Sequence, residues 1–544
     1  MLKFTNDPFE YVAPTICITS IILIPLGPLL IPRLWILLLS SYFFIFLSTQ
    51  LNRLLKFWMT ANNIKKTISQ NNTTAELKDI ESILVYDLVH AIVVPNYAEP
   101  EALIRDTIQR IAVHKRARTN YVIILAMETS ELYHGNKSDS LREYFKDNFL
   151  QFIVTNHPSD LPGEARGKGS NISYAARKGC AKLIECGIDK QRIMITIADS
   201  DSHISELYIK EIEKVFNRND DPYFKVYAPP IFFSRNCFKV PASVRVTDIV
   251  WSSMIMSNLS SSSGIGFPCS TYTVSYLLAD RVGYWDTDAD AVGEDMHMTL
   301  KCIFKTKGRA RMVPIFVPIN LMNVETEGYI DNLWARFVQA KRHYNGVADV
   351  SYTLRSALDL PTFCIDANNL LLSPSSSMMV EDVQEPTKYF WVQKLLIIFK
   401  VFEAHFIPVT SGWLMFLAVP VMQFILQPPA GFEGWVATNQ NPIQVSEFYL
   451  RIFNVLKWIT FVLPFPLFGT LSIYESLHRF IDMEFLNKTK EETRNWVNYL
   501  DYLHTPIAAW VFMTIPSDIA SLKRIFKTRD QYIVAEKVFH EGRD

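Results

Sequence analysis

The sequence predicts an α/β domain with a mostly parallel sheet, flanked by membrane-crossing and interfacial helices. Three observations predict it. Long apolar stretches lie toward both ends of the chain, short β-branched runs alternate with helical stretches between residues 85 and 350, and acidic or amide side chains follow those runs directly. Such alternation marks βαβ units, whose ligands sit at the carboxyl ends of the strands. Over 544 residues, 49% hydrophobic and 13% aromatic side chains exceed what a solvated surface carries, so membrane segments are expected. A formal net charge of −1 excludes a broadly basic nucleic-acid binder. The seven cysteines include no C-x-x-C pair, which argues against a zinc site or disulfide framework and for reduced, buried thiols facing the cytosol.

Pro14 to Ile31 and Leu34 to Leu51, separated by Pro32 and Arg33, are each close to the ~20 residues that cross a bilayer, and the tight connection makes them a hairpin. No basic leader precedes them, which speaks against a cleaved signal peptide. Arg53, Lys56, Lys65 and Lys66 follow the hairpin against a lone Lys3 before it, so residues 53–84, read as a linker, are expected on the cytoplasmic side. The Asn71-Asn72-Thr73-Thr74 sequons then count only as polar linker. In the domain, strands are expected at Leu88 to Val94, Tyr121 to Met127, Phe149 to Thr155 and Ile193 to Ala198, with helices at Glu101 to Val113 and Asn171 to Glu185. Residues 351–388 read as a second linker around Ser373-Pro374-Ser375-Ser376-Ser377 and the acids Glu381, Asp382 and Glu385. Tyr389 to Phe406 mixes apolar positions with Lys394, Lys400, Glu403 and His405 and is expected to lie at the interface. Ile407 to Leu426 and Ile452 to Ile473 are the remaining spans, whereas Pro506 to Ile515 is short for one. Four spans place the basic residues Lys523, Arg524, Lys527 and Arg529, in the tail 523–544, on the cytoplasmic side.

The chemistry lies at the strand ends: Pro95-Asn96-Tyr97-Ala98-Glu99, then Glu128-Thr129-Ser130-Glu131, then Asp199-Ser200-Asp201. A buried strand ending in two acids offers hard oxygen ligands for a divalent cation, though Asp and Ser also suit a plain turn. Further along come Phe267-Pro268-Cys269-Ser270, Gly283-Tyr284-Trp285-Asp286, Gly293-Glu294-Asp295-Met296-His297 and Gln339-Ala340-Lys341-Arg342-His343-Tyr344. In these motifs, from about Val93 to Tyr344, the chain resembles membrane-embedded glycosyltransferase family 2 enzymes, the group of the cellulose, chitin and hyaluronan synthases.

The resemblance implies a GT-A-like cytosolic domain that uses Mg2+ or Mn2+ and a nucleotide-sugar donor, expected to be a UDP-sugar. Asp201 would hold the metal, and Asp199 metal or ribose. Asn96, Tyr97, Glu99 and Glu128 would meet the base and ribose, although Tyr97 and Glu99 also read as a cap for the helix that follows. Lys168, in Arg166-Gly167-Lys168-Gly169-Ser170-Asn171, would reach the phosphates, or be incidental charge on a glycine-rich loop. Asp295 would be the catalytic base with Glu294 in support, or an acidic helix cap. The lone His297 reads as structural. Gln339 and Arg342, three apart on one helix face, would lie under the diphosphate, with Lys341 and Arg336 solvated. Phe267 and Cys269 would wall the acceptor site, Cys269 without acting as a nucleophile. His343 stands where this family usually has tryptophan and is followed by Tyr344, so the indole expected to stack on the acceptor sugar is missing and long-chain processivity is in question. The expected function is an inverting, membrane-bound synthase of a β-linked glycan, in the plasma membrane or Golgi, with a homo-oligomer as a further expectation. The alternatives are a transferase adding one sugar to a lipid or short glycan, and a transporter or scaffold carrying a binding domain.

Overall fold

The computed structural model describes residues 7–72, 87–162, 164–288, 291, 293–360, 386–428, 445–490 and 492–526. Its centre is a seven-stranded sheet in the order β3-β2-β1-β4-β7-β5-β8. The strands are β1 (Val89–Pro95), β2 (Tyr121–Glu128), β3 (Gln151–His157), β4 (Ile193–Ile197), β5 (Lys225–Ala228), β7 (Tyr272–Ser275) and β8 (Arg311–Pro314). A separate parallel pair joins β6 (Ile231–Phe232) to β9 (Ile319–Asn320). All pairings in the large sheet are parallel except those of β7, which runs antiparallel to β4 and β5. The third strand begins two residues later than expected; Phe149, ahead of it, packs into the core instead.

β1, β2 and β4 are buried on both faces, which explains their continuous apolar sequences. Alternate residues serve opposite sides. Ala91, Val93, Ile195 and Ile197 pack on α5 (Lys168–Glu185) through Ile172, Ala176 and Cys180, whereas Ile92, Val94 and Met194 face α3 (Glu101–Ala112) and α6 (Glu206–Arg218). Gly179 lets α5 come close: a Cβ there would lie 2.4 Å from Ile124 Cδ1. The domain's other helices of seven residues or more are α4 (His134–Phe145), α7 (Ala242–Asn258), α8 (Tyr276–Val282), α9 (Glu294–Lys305), α10 (Tyr329–Tyr344) and α11 (Ala348–Ala357).

Among the described residues, four helical stretches are long and apolar enough to cross a membrane: Pro8–Leu30, Pro32–Asn71, Phe390–Leu426 and Glu447–Glu484. They contain α1 (Val12–Leu30), α2 (Pro32–Asn72), α12 (Phe390–Trp413), α13 (Val419–Leu426), α14 (Glu447–Val462) and α15 (Pro464–Glu484). Residues 53–72, read as a linker, instead continue α2. Phe57, Ala61, Ile64 and Ile68 make a helical stripe that packs with Val246 and Ile249 of α7 and with Tyr474 and Leu477 of α15. The expected interfacial helix from Tyr389 to Phe406 is likewise the first part of the longer α12. Its Glu403 accepts from Arg53 of α2 at 2.9 Å and lies 3.1 Å from Lys400, so these charges pair inside the helix bundle.

The stretch Pro506 to Ile515 belongs to α16 (Thr505–Ala509), a π-helical turn and α17 (Ile515–Lys523). Of the second linker, α11 occupies the first part, and Ser373 to Ser377, Glu381, Asp382 and Glu385 lie outside the described residues. The same holds for Thr73, Thr74, Lys527 and Arg529.

Candidate active site

β2, β1 and β4 lie side by side, so Glu128, Asn96 and Asp199 share the carboxyl edge of the sheet. Ala198 N–H still donates to Val93 O at 3.0 Å, and Ser202 N–H turns back to Asp199 O at 2.9 Å. The D-x-D is thus a turn and a site at once. Lys168, the first residue of α5, places its ammonium 2.6 Å from Asp199 Oδ1 and 2.5 Å from Glu294 Oε1. Ser270 joins the two acidic motifs: its hydroxyl donates to Asp199 Oδ2 at 2.5 Å, and its backbone N–H donates to Asp295 Oδ2 at 3.0 Å. It does so at a left-handed φ of 63°, a conformation that costs a non-glycine residue about 1–3 kcal/mol and that clusters at functional sites.

Asp295 is further oriented by the N–H of Met296, 2.8 Å from Oδ1. It sits in the first turn of α9, whose cap position is Gly293, so capping is not its main task. Burial pushes the carboxyls of Glu294 and Asp295 above their usual values, opposed by the Lys168 charge and, for Asp295, by the two N–H groups. Burial alone would lower the Lys168 ammonium; Asp199 and Glu294 outweigh it and hold it well above its usual value. Behind them His297 bridges Asp349 at 2.5 Å and Asp286 at 2.9 Å, and Lys301 meets Asp286 at 2.5 Å, which pins α9 from its buried side.

The other expected donor residues are more constrained. Asn96 donates to Glu131 Oε2 at 2.6 Å, and its Oδ1 receives the N–H of Glu99 at 3.3 Å. Glu131 pairs with Lys137, which also reaches Glu99 O at 2.7 Å. Glu99, Glu131 and Lys137, with Leu132 and Tyr133, wall a cavity of about 540 Å³ at the ends of β1 and β2. Half-buried Tyr97 borders Asn96, and the cap of α3 is Pro100, so Tyr97 and Glu99 do not cap that helix. Glu128 is 7% exposed, and its Oε1 lies 3.0 Å from His157 Nδ1. Asp201 is buried, with Oδ2 accepting from Met322 N–H at 3.3 Å.

On the acceptor side, burial and the nearby Asp295 charge push the Cys269 thiol up, so it is no nucleophile. Phe267 and Tyr344, expected to touch the acceptor, are instead buried in an apolar cluster with Leu300, Ile303 and Ala340. Gln339 and Arg342 are half-buried on α10 and His343 is exposed. The ring of His343 lies 6.2 Å from that of Trp251 on α7, with the planes 31° apart. Arg336, expected to be solvated, is buried and pairs with Asp248 of α7 at 2.8 Å.

Lys137 and Trp251 escaped the sequence reading, and Glu131 and Ser270 entered it only as members of their motifs, without a role. Ser270 had a signal, as the hydroxyl closing the Phe267 to Ser270 motif; the others join only through the tertiary fold. Among the described residues, no three His, Cys, Asp or Glu side chains gather as a metal cluster. Mg2+ and Mn2+ need only one or two protein carboxylates when phosphate oxygens and water complete the shell, so Asp199 and Asp201 at one turn suit such an ion.

Residues 194–473, just over half of the chain, match the family model described as Glycosyl transferase family group 2, and the chain belongs to that family. No curated protein matches it. Among solved structures it is similar to the mannosyltransferase PcManGT from Pyrobaculum calidifontis in complex with GDP-Man and Mn2+, at 13% identity and a TM-score of 0.38 over 83% of this chain and 100% of that one. A second likeness is to glucosyl-3-phosphoglycerate synthase from Mycobacterium tuberculosis in complex with Mn2+, UDP and glucosyl-3-phosphoglycerate, at 12% identity and a TM-score of 0.30 over 52% of this chain and 85% of that one. The assignment rests on the family match and the sheet topology, not on these two distant likenesses.

Proposed function

We propose that the protein is an inverting glycosyltransferase of the membrane, a synthase that moves a sugar from a nucleotide-diphosphate donor, a UDP-sugar for preference, onto a growing β-linked glycan. One observation carries the reading: the Asp295 carboxylate, fixed by two backbone N–H groups, shares Ser270 with the D-x-D acid Asp199. A base for the acceptor and an acid for the donor side are thereby held on a single residue.

In the reaction the acceptor hydroxyl attacks the anomeric carbon as the bond from that carbon to the diphosphate oxygen breaks, and the hydroxyl proton passes to Asp295. A carboxylate raised in pKa by burial is the better proton acceptor. Glu294 and Asp199 hold Lys168 between them, a positive charge beside the departing diphosphate. A Mg2+ or Mn2+ ion on Asp199 and Asp201 would supply further neutralisation of that leaving group. Arg342 and Gln339 extend the polar surface from α10, and the cavity walled by Glu99, Glu131 and Lys137 suits the base and ribose. The four membrane-length helices tie the domain to a bilayer, with the catalytic domain on the cytoplasmic side of a plasma or Golgi membrane.

Asp295→Asn should lower transfer by about 10²–10⁴-fold while donor binding, followed by titration with the nucleoside diphosphate, stays unchanged. Transfer at the unaltered rate would falsify the base assignment. A second reading, single addition to a lipid or short glycan, is favoured by His343 in place of tryptophan. Purified protein given labelled nucleotide sugars separates the two, since only the synthase yields long polymer.

A further inference from the structure

Two successive carbonyls of the D-x-D turn are held from α3, one directly and one through an arginine. Thr107, fully buried on α3, donates its hydroxyl to Ser200 O at 2.6 Å. Arg235 donates from one terminal nitrogen to Asp201 O at 2.7 Å and from the other to Asp106 Oδ2 at 2.7 Å. Asp106 and Thr107 are neighbours in the chain, so a single turn of α3 grips both carbonyls.

The grip extends to the Asp201 carboxylate. Arg235 follows β6, its side chain is 6% exposed, and its backbone N–H donates to Leu321 O at 3.4 Å. The residue after Leu321 is Met322, whose N–H donates to Asp201 Oδ2 at 3.3 Å. On either side of Arg235, Ser234 donates its hydroxyl to Asn320 Oδ1 at 2.9 Å and Asn236 Oδ1 accepts from Asn323 N–H at 2.7 Å. His203 N–H closes the far side of the turn on Asn320 O at 2.8 Å. An arginine serving only to neutralise Asp106 would be redundant here, because Arg110 already places its Nε 2.9 Å from the same Oδ2. What sets Arg235 apart is its bond to Asp201 O. Two acids of one turn share a cation only when their carboxylates are held at a fixed separation, and groups behind the ligands set that separation.

We infer that Arg235 is a positioning residue for the D-x-D turn, holding the Asp201 main chain against α3 so that the Asp199 and Asp201 carboxylates present one geometry to a divalent cation and a diphosphate. Thr107 does the same for Ser200. Arg235 acts through Asp201 rather than on the donor itself. This role rests on the metal and donor reading of the two acids proposed above.

The test measures UDP and GDP binding to the detergent-solubilised full chain by calorimetry, once with Mn2+ and once with EDTA. In the unaltered chain Mn2+ should tighten the nucleotide. Arg235→Met should weaken binding in Mn2+ by roughly tenfold, the low end for a group lost from behind a metal ligand, with the affinity in EDTA unchanged. Arg235→Lys, which keeps one donor for Asp201 O, should retain part of the gain from Mn2+, and Thr107→Val should lose several-fold of it. Arg110→Met, which takes the other guanidinium from Asp106, should alter neither affinity. Equal losses in Mn2+ and EDTA, a loss in Arg110→Met as large as in Arg235→Met, or an unchanged gain in Arg235→Met overturns the role and leaves the metal reading standing. Should Arg235→Met not fold, Arg235→Lys and Thr107→Val decide the question on the same criteria. If Mn2+ gives the unaltered chain no gain for either nucleotide, the metal reading fails and the role with it.

Discussion

His157 keeps a positive charge inside the domain. At 3% exposure it would lose its proton to desolvation, but Glu128 takes one ring N–H at 3.0 Å and Glu164 the other at 2.8 Å. The two carboxylates outweigh burial and raise its pKa from 6.5 to about 9. Because the folded value lies above the unfolded one, this stabilisation is complete below pH 6.5 and is lost as pH climbs through about 9. It amounts to roughly 3 kcal/mol at most. Thermal unfolding in detergent should therefore show stability falling across that interval, and His157→Gln should flatten the fall; an equal slope in the variant would count against the buried imidazolium. The same triad shows what a linear reading misses. Glu128 stands where a ribose-binding acid is expected, and only the pairing of β2 with β3, Glu128 opposite His157, reveals that its Oε1 is bonded to a buried imidazole.

Between elements, the decisive link is the Arg336–Asp248 pair joining α10 to α7. Both side chains are buried, and Arg336 leaves Nε and one terminal nitrogen without partners. Removing one member strands the other charge in the interior, at about 3–5 kcal/mol, whereas a well-packed apolar pair of similar volume can be neutral or better. Arg336→Ala should lower the unfolding free energy by about that amount, and Arg336→Met with Asp248→Leu should restore most of it. Failure of the double variant to recover any stability would show that the pair sets helix geometry rather than merely neutralising itself. The acidic motifs and the lysine loop were legible because each is local and each lies at the same sheet edge, where Lys168 meets Asp199 and Glu294. Arg336 was not, because its burial depends on an aspartate 88 positions earlier in the chain, on a helix whose place no local pattern gives.

At the scale of the whole molecule, sequence-distant segments converge behind the site. Asp7 meets Arg355 of α11 at 2.5 Å, Glu10 pairs with Arg524, and Cys17 donates to Asp518 of α17 at 3.4 Å. α11 also carries Asp349, whose carboxylate is bonded to His297 of α9. Glu10→Lys should reduce transfer several-fold, and Arg524→Glu in the same chain should return it; loss that the swap leaves unrepaired would point to a role for Glu10 apart from this pair. These contacts also bear on how the protein is made. Glu10 and Cys17 are translated early, yet their partners Arg524 and Asp518 follow about five hundred codons later. Leu300 and Ile303 of α9 share an apolar cluster with Ala520 of α17, so the packing behind that helix is complete only once the last described helix has been made.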